Sequence, residues 1–499
     1  MSGRNRDDWE PWLERLRTER AKSLEMGGPE RLERHRAAGK LNVRERIELL
    51  FDPGTFNELG SLVGNKTDLP ADGFVCGFGL VEGLPVAVGA EDFTIKAGSV
   101  GPGGSYKRHR IAELAVQEGV PIVWMKEGAG ARLGVRTSTP ARTPNDLEPM
   151  ADCHGNVPVV CLILGVSAGH GALTAPMADF TVMTKGAALF TGGPDLVRAA
   201  TGEDLTAEEL GGWQVCVEQA GTVHNVAEND AEAIAMARDY LSFFVRSANP
   251  HVTKWGADVV DGSDSGPREV PELLDIIPPG PRVPYDVRDV IRALVDEGNY
   301  FEVQPLWGTP ISVGWGRLGG RTVGFVANNP ARRAGALDTP AAIKATDFLG
   351  IADTFGHPVI FLLDNPGVLA GSQAERSGVL KWGGRMYLAG RNLRTPKISV
   401  LIRKGFGFGL VTMAHMPHDR QTLTLALPSA NIASMPAQSG GKTANLDDDT
   451  REKMERAQRG GPYGLADRLG VDEVVHPAEL RNALIHGLTI SAQRPRPRW

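Results

Sequence analysis

Short, continuous apolar runs recur along the chain, and each ends in glycine. Residues 120–134 read VPIVWMKEGAGARLG and residues 157–174 read VPVVCLILGVSAGHGALT. Runs of this length, bounded by Pro and Gly, predict strands buried on both faces of a parallel sheet. Charged, helix-like stretches alternate with them up to about residue 250, which is the rhythm of an α/β fold. Residues 9–50 read as helical, either as amphipathic surface helices or as a subunit-contact arm. The stretch 261–284 is rich in Pro, Gly and Asp, carries PPGPRVP near its end and reads as a linker. Helical and strand signals resume at Val287. The expected division is a domain over 1–255, a linker over 256–284 and a domain over 285–499.

The two halves resemble each other. VPIVWMKEGAGARLG (120–134) aligns with HPVIFLLDNPGVLAG (357–371), so Pro121, Gly130 and Gly134 match Pro358, Gly367 and Gly371. VPVVCLILGVSAGHGALT (157–174) aligns with TPKISVLIRKGFGFGLVT (395–412), so Gly169, Gly171 and Thr174 match Gly407, Gly409 and Thr412. Near-equal spacing of the two blocks in each half predicts a duplicated α/β domain. In each half, two buried strands end in a glycine-rich turn that opens a helix.

Length and composition narrow the class. A chain of 499 residues exceeds what one hydrophobic core sustains. Its 54 basic and 60 acidic residues give a net charge of −6, so no bulk basic character points to nucleic acid. Cys76, Cys153, Cys161 and Cys216 form no C-x-x-C pair, which fits a reducing cytoplasm rather than a disulfide framework or a zinc ribbon. The longest apolar run, 157–166, is too short to span a membrane. The charged N-terminus lacks the apolar core of a secretory signal.

Gly165-x-Ser167-x-Gly169 has the form of a hydrolase nucleophile elbow, with His170 close by. The residue matching Ser167 in the second half is Gly405, so the recurring feature is Gly-x-Gly and not the serine. A glycine turn at a helix start exposes backbone N–H groups. Two such turns make two oxyanion holes, suited to a reaction in which two carbonyl oxygens become anionic.

At this point the sequence resembles the carboxyltransferase (β) subunits of biotin-dependent acyl-CoA carboxylases, the propionyl-CoA, acetyl-CoA and methylcrotonoyl-CoA type. The resemblance runs over roughly 35–480. It rests on GKLNVRERIELLFDPGTFNELG (39–60), EDFTIKAGSVG (91–101), TGGPDLVRAATGEDLTAEELGG (191–212), PYDVRDVIRALVDEGNYFEVQPLWG (284–308), VGFVANNP (323–330) and LLDNPGVLAG (362–371). It implies two tandem crotonase-like ββα-spiral domains. Acyl-CoA is expected mainly on the first half and carboxybiotin, carried by a partner chain, on the second. CO₂ would pass to the α or vinylogous carbon, with the protein supplying donors and alignment rather than a side-chain base.

Carried over by position, the first hole falls on the N–H groups of Gly169 and His170, and the second on Phe408 and Gly409. The acyl-CoA side takes Gly98, Ser99, Gly101, Lys107, Gly130 and Ala131; the biotin side takes Gly367 and Val411. The resemblance also implies a homo-hexamer, a biotin carboxylase and a biotin carboxyl carrier as partners, and no metal in this chain. Two absences agree with a partner. No Gly-x-x-x-x-Gly-Lys loop is found, and no Met-Lys-Met context accepts biotin.

The chain departs from the family at both turns. His170 stands where the family carries Gly. The second turn reads GFGLV, with Phe408 in the slot equivalent to His170 and Val411 where the propionyl branch has Asp. These departures keep two alternatives open: a biotin-independent acyl-CoA decarboxylase or hydrolase on the same fold, and a non-catalytic paralogue within a carboxylase complex.

Overall fold

Each apolar run becomes a central strand. The computed structural model describes residues 4–132, 146–244, 264–415, 419–433, 447–450, 452–453, 460–492 and 494. The chain divides into two units, Met1–Ser242 and Phe243–Trp499.

The first unit holds β1 (Asn57–Leu59), β2 (Phe74–Val81), β3 (Leu84–Glu91), β4 (Ile122–Gly128), β5 (Val159–Ala168), β6 (Phe180–Thr184), β7 (Ala188–Phe190) and β8 (Asn225–Ala227). They form one sheet in the order β1-β2-β3-β4-β5-β6-β8, with β7 paired to the far end of β5. The β1–β2 and β2–β3 pairs are antiparallel; every pair from β3 onward is parallel.

The second unit holds β9 (Tyr300–Val303), β10 (Ile311–Leu318), β11 (Arg321–Asn328), β12 (Val359–Asn365), β13 (Lys397–Phe406), β14 (Leu423–Ala426), β15 (Asn431–Ala433) and β16 (Glu473–Val474). Their order is β9-β10-β11-β12-β13-β14-β16, with β15 on β13, so the sequence repeat is a topological repeat.

Local chemistry explains the shared elements. Glu82–Gly83 and Gly319–Gly320 turn the β2–β3 and β10–β11 hairpins with positive φ at both positions, the two-residue turn that matches strand twist. β4 and β12 are buried at every residue, as continuous apolar runs require. The crossover helices Pro102–Glu118 and Thr339–Phe355 each cover their sheet with a buried stripe. In the first helix that stripe is Gly104, Lys107, Arg108, Ile111, Ala112 and Ala115. Each large aliphatic side chain so buried contributes on the order of 1.5–3 kcal/mol.

The stretch expected as a linker divides. Residues 256–263 lie outside the described residues, whereas Val270, Leu273 and Ile277 are buried in the core of the second unit. The N-terminal segment forms helices Arg4–Leu24, Pro29–Ala37 and Val43–Leu50, the last started by a capping box of Asn42 and Glu45. Trp9 and Trp12 on the first of these are largely exposed. Among the described residues, no helix is long and apolar enough to cross a membrane.

The central strand pair of each unit ends in a register shift. There Gly128 stands opposite Ser167 in the first unit, and Asn365 stands opposite Gly405 in the second. Ser167 and Asn365 are fully buried. Ser167 Oγ and Asn365 Nδ2 have no hydrogen-bond partner among the described residues.

Candidate active site

In the first unit three turns meet where β3, β4 and β5 end. Lys96 and Ala97 adopt positive φ, as do Gly98, Gly130 and Gly169. Main-chain bonds lace the first two turns together. Ala129 N donates to Ala97 O (2.9 Å), Val100 N to Gly130 O (2.8 Å) and Arg132 N to Val100 O (3.1 Å). Val100 and Ala131 form a parallel bridge. A Cβ at Gly98 would lie 2.1 Å from Glu127 O, and one at Gly130 would lie 2.7 Å from Ala168 O. These crossings are too close for a side chain. Ser99 donates its hydroxyl to Lys96 O (2.7 Å), and Gly101 is the N-cap of helix Pro102–Glu118.

The second unit repeats the arrangement. Arg333, Ala334, Gly335, Gly367 and Gly407 take positive φ. Leu337 N donates to Gly367 O (3.2 Å), Leu369 N to Leu337 O (2.8 Å), and Leu337 bridges Val368. Gly169 and Gly407 share the same φ of 54°. A third repeated block therefore exists, KAGSV (96–100) against RAGAL (333–337), which the sequence comparison missed. Phe408 and Gly409 lie in the short helix Gly407–Thr412, with Val411 half-buried on it. Gly409 packs on the Asn365 amide, whose Oδ1 accepts from Gly367 N (2.6 Å). The Phe408 ring lies against Gly383, where a Cβ would sit 2.9 Å from Cε1.

Beneath the first-unit turns lie buried charges. Glu91 accepts from Arg108 and from Lys126, and its other oxygen accepts from Glu127 N (2.7 Å). Burial pushes the Glu91 carboxyl upward, but Lys126 and Arg108 outweigh it and hold it below the ordinary range. Burial lowers the Lys126 ammonium. Gly171 sits directly over this pair, 3.4 Å from Glu91 Oε1 at its Cβ position. Glu127 is clasped by His35 (3.1 Å), Lys40 (2.5 Å) and Arg46 (2.7 Å), which bring it down to about 2 against the effect of burial. Above the sheet, His170 Nε2 meets Asp146 Oδ1 at 2.8 Å, with the His170 side chain 28% exposed and that of Asp146 4% exposed.

Ser167 is fully buried and does not meet His170, so the nucleophile-elbow geometry is absent. Lys107 also lies inside. It falls on the inward stripe of its helix, is 4% exposed and points its ammonium at Ala71 O (3.5 Å). The cations that do face the loop line a cavity of about 360 Å³ beside Ala97: Arg31, Arg34, Lys40 and Lys96, with His35 and Phe93. Arg31, Arg34 and Lys96 are exposed. Their spacing in sequence gives no motif; only the fold gathers them.

Residues 34–499 match the carboxyl transferase domain family. The chain belongs to this family. It is 34% identical over 494 residues to the methylmalonyl-CoA decarboxylase subunit alpha of Veillonella parvula, covering 97% of this chain and 96% of that one. It is 35% identical over 491 residues to the methylmalonyl-CoA carboxyltransferase 12S subunit of Propionibacterium freudenreichii subsp. shermanii, covering 95% and 92%. A transcarboxylase 12S crystal structure, a hexamer with methylmalonyl-CoA bound, superposes with a TM-score of 0.90 at 33% identity, covering 98% of this chain and 97% of that one. As a carboxyl transferase, the chain presents two equivalent turns over two equivalent sheets. Basic side chains gather beside the first turn, and the Asn365 amide donor, without a partner among the described residues, lies behind the second.

Proposed function

We propose that this carboxyl transferase moves a carboxyl group from carboxybiotin, carried on a partner chain, to the α or vinylogous carbon of an acyl-CoA. The observation that carries the reading is the repeated turn at Gly169 and Gly407, identical in φ and each set on the end of a central strand. In the first unit the N–H groups of Gly169 and His170 hold the thioester oxygen as it becomes an enolate. Removing one such donor costs about 2.7–4 kcal/mol in the transition state. Gly98, Ser99, Gly101, Gly130 and Ala131 form the adjoining backbone wall for acyl-CoA. Lys107 points inward, so the cations offered to the CoA phosphates are Arg31, Arg34 and Lys96.

Carboxybiotin, when bound, supplies an activated carboxyl group. The second unit fits it in one checkable respect. The buried Asn365 Nδ2 lacks an acceptor among the described residues, and a ureido oxygen is an acceptor. The N–H groups of Phe408 and Gly409 would hold that oxygen with it, with Gly367 and Val411 alongside. A homo-hexamer, a biotin carboxylase, a biotin carboxyl carrier and a cytoplasmic setting belong to the same proposal. Trp9 and Trp12 are surface available to another copy. The four cysteines are unpaired and buried.

The test is reconstitution. Mixing the purified chain with a biotinylated carboxylase partner should give ADP release that depends on acyl-CoA. Silence with every short and branched acyl-CoA, in wild type and in Phe408→Ala, overturns the reading. A biotin-independent decarboxylase is the second reading, favoured by the bulk of Phe408 at the second turn.

A further inference from the structure

The two turns are alike in backbone but not in side chain. Only the first carries a titratable group: His170, where the second has Phe408. Asp146, at the N-cap of helix Leu147–Cys153, fixes the imidazole through Nε2 and leaves Nδ1 as its second nitrogen. The carboxylate is buried and the ring is partly exposed, so the pair is anchored inside and opens outward. Burial pushes the Asp146 carboxyl up, but the bond and charge of His170, with Arg108 beyond, hold it below the ordinary range. Asp146 Oδ2 has no partner among the described residues, and Arg108 is engaged with Glu91. The other charged groups on elements packed against this turn are the Glu91–Lys126 pair under Gly171, Glu127 clasped on β4, and Glu148 and Asp152, exposed on the Asp146 helix. His170 is thus an oriented imidazole at the very turn whose N–H groups face the proposed enolate.

We infer that His170, positioned by Asp146, is a proton carrier for the α carbon of the acyl thioester in the first unit. The step balances without a further reactant. Neutral Nδ1 takes the α proton and an N–H bond forms. The C–H electron pair becomes the enolate π bond, the charge moves to the thioester oxygen under the backbone N–H groups, and the Asp146 carboxylate stabilises the imidazolium. The reverse step returns the proton. The asymmetry of the duplication fits this role, since of the two carbonyl partners only the acyl group has a C–H bond to break. The inference rests on the acyl-CoA reading of the first unit and adds a side-chain base to it.

The experiment needs neither biotin nor ATP. The full chain is incubated with propionyl-CoA in D₂O, and deuterium at the α carbon is followed by mass spectrometry, with propionyl-CoA binding measured by calorimetry in parallel. Wild type should exchange the α proton. His170→Gln, which keeps the backbone N–H, should still bind propionyl-CoA but exchange ~100-fold or more slowly, in line with the usual size of general-base catalysis. Asp146→Asn should keep binding and lose about 10-fold in exchange, and Asp146→Glu, which keeps the carboxylate, should recover much of that loss, a rescue that a merely structural clamp does not require. Binding without exchange in wild type, or wild-type exchange in His170→Gln, overturns the inference while the acyl-CoA reading stands. Absence of binding in wild type removes that reading and the inference with it.

Discussion

Gly98→Ala tests whether the turns of the first unit are held together by backbone crossings that tolerate no side chain. Two costs can be separated. The first is the conformation: Gly98 sits at φ 62°, where an alanine loses roughly 1–2 kcal/mol. The second is contact: the new Cβ would lie 2.1 Å from Glu127 O and 2.9 Å from Gly128 Cα. Relief to an ordinary non-bonded distance of about 3.5 Å moves the turn by roughly 1 Å or more. Such movement breaks the bonds from Val100 N to Gly130 O (2.8 Å) and from Ala129 N to Ala97 O (2.9 Å). Each lost bond adds about 0.5–1.5 kcal/mol, for a total near 2–5 kcal/mol. Gly83→Ala is the matched control, because Gly83 has φ 79° with nothing within 4 Å of its Cβ position. Calorimetry should show the control melting about 2–4 °C lower per kcal/mol lost, and Gly98→Ala lower again by roughly 2–12 °C. Acyl-CoA should stabilise the control and not Gly98→Ala. If the two variants melt within about 1 °C of each other, the crossing is soft and the account of a rigid turn cluster fails.

Gly383→Ala should push the Phe408 ring off its helix and toward the second turn, lowering reconstituted carboxyl transfer while acyl-CoA binding holds. Recovery of the transfer rate in Gly383→Ala/Phe408→Ala is the check, and an unaffected single variant refutes it. Burial lifts the Asp179 carboxyl to about 7, so the native state holds a proton that the unfolded chain releases near pH 4. Stability from this group is intact below about pH 4 and is lost as pH rises toward about 7, a drop on the order of 4 kcal/mol. Asp179→Asn keeps the acceptor for Val159 N and should flatten urea-unfolding free energies across that window; an unchanged slope counts against the burial argument. Ser167→Ala removes a buried hydroxyl without a partner among the described residues and should leave turnover intact and raise stability by up to about 1 kcal/mol. Covalent labelling of Ser167 by a fluorophosphonate would contradict its burial.

The sequence revealed the parts that rest on hydrophobic continuity. β4, β5, β12 and β13 each carry a continuous apolar stretch, and their glycine turns align at fixed spacing, so the duplication and the sheet type follow from pattern alone. The third turn escaped because KAGSV and RAGAL carry little apolar signal, and four of their positive-φ positions are Lys96, Ala97, Arg333 and Ala334 rather than glycine. Lys107 shows a related limit of charge as a guide to position. Charge predicts a surface, but its helical phase with Gly104, Arg108 and Ile111 places it inward. The partner of His170 was invisible because Asp146 is held next to it by packing between a helix and a turn, and no local spacing encodes that.

The exchange of small and polar residues at the strand ends bears on how the two halves could diverge. Gly128 faces Ser167, and Asn365 faces Gly405, so the polar residue changes strands between the units. What excludes a side chain at each glycine also differs. A Cβ at Gly128 would lie 2.5 Å from Gly98 O, whereas one at Gly405 would lie 2.8 Å from Leu410 Cδ1 and 3.0 Å from Leu401 Cδ1. A backbone oxygen cannot retreat without moving its turn, but a leucine can change rotamer. Grafting the β12 end onto β4 would set Asn against Gly98 O, and grafting the β5 end onto β13 would set Ser among leucines. The first graft should therefore cost more stability than the second.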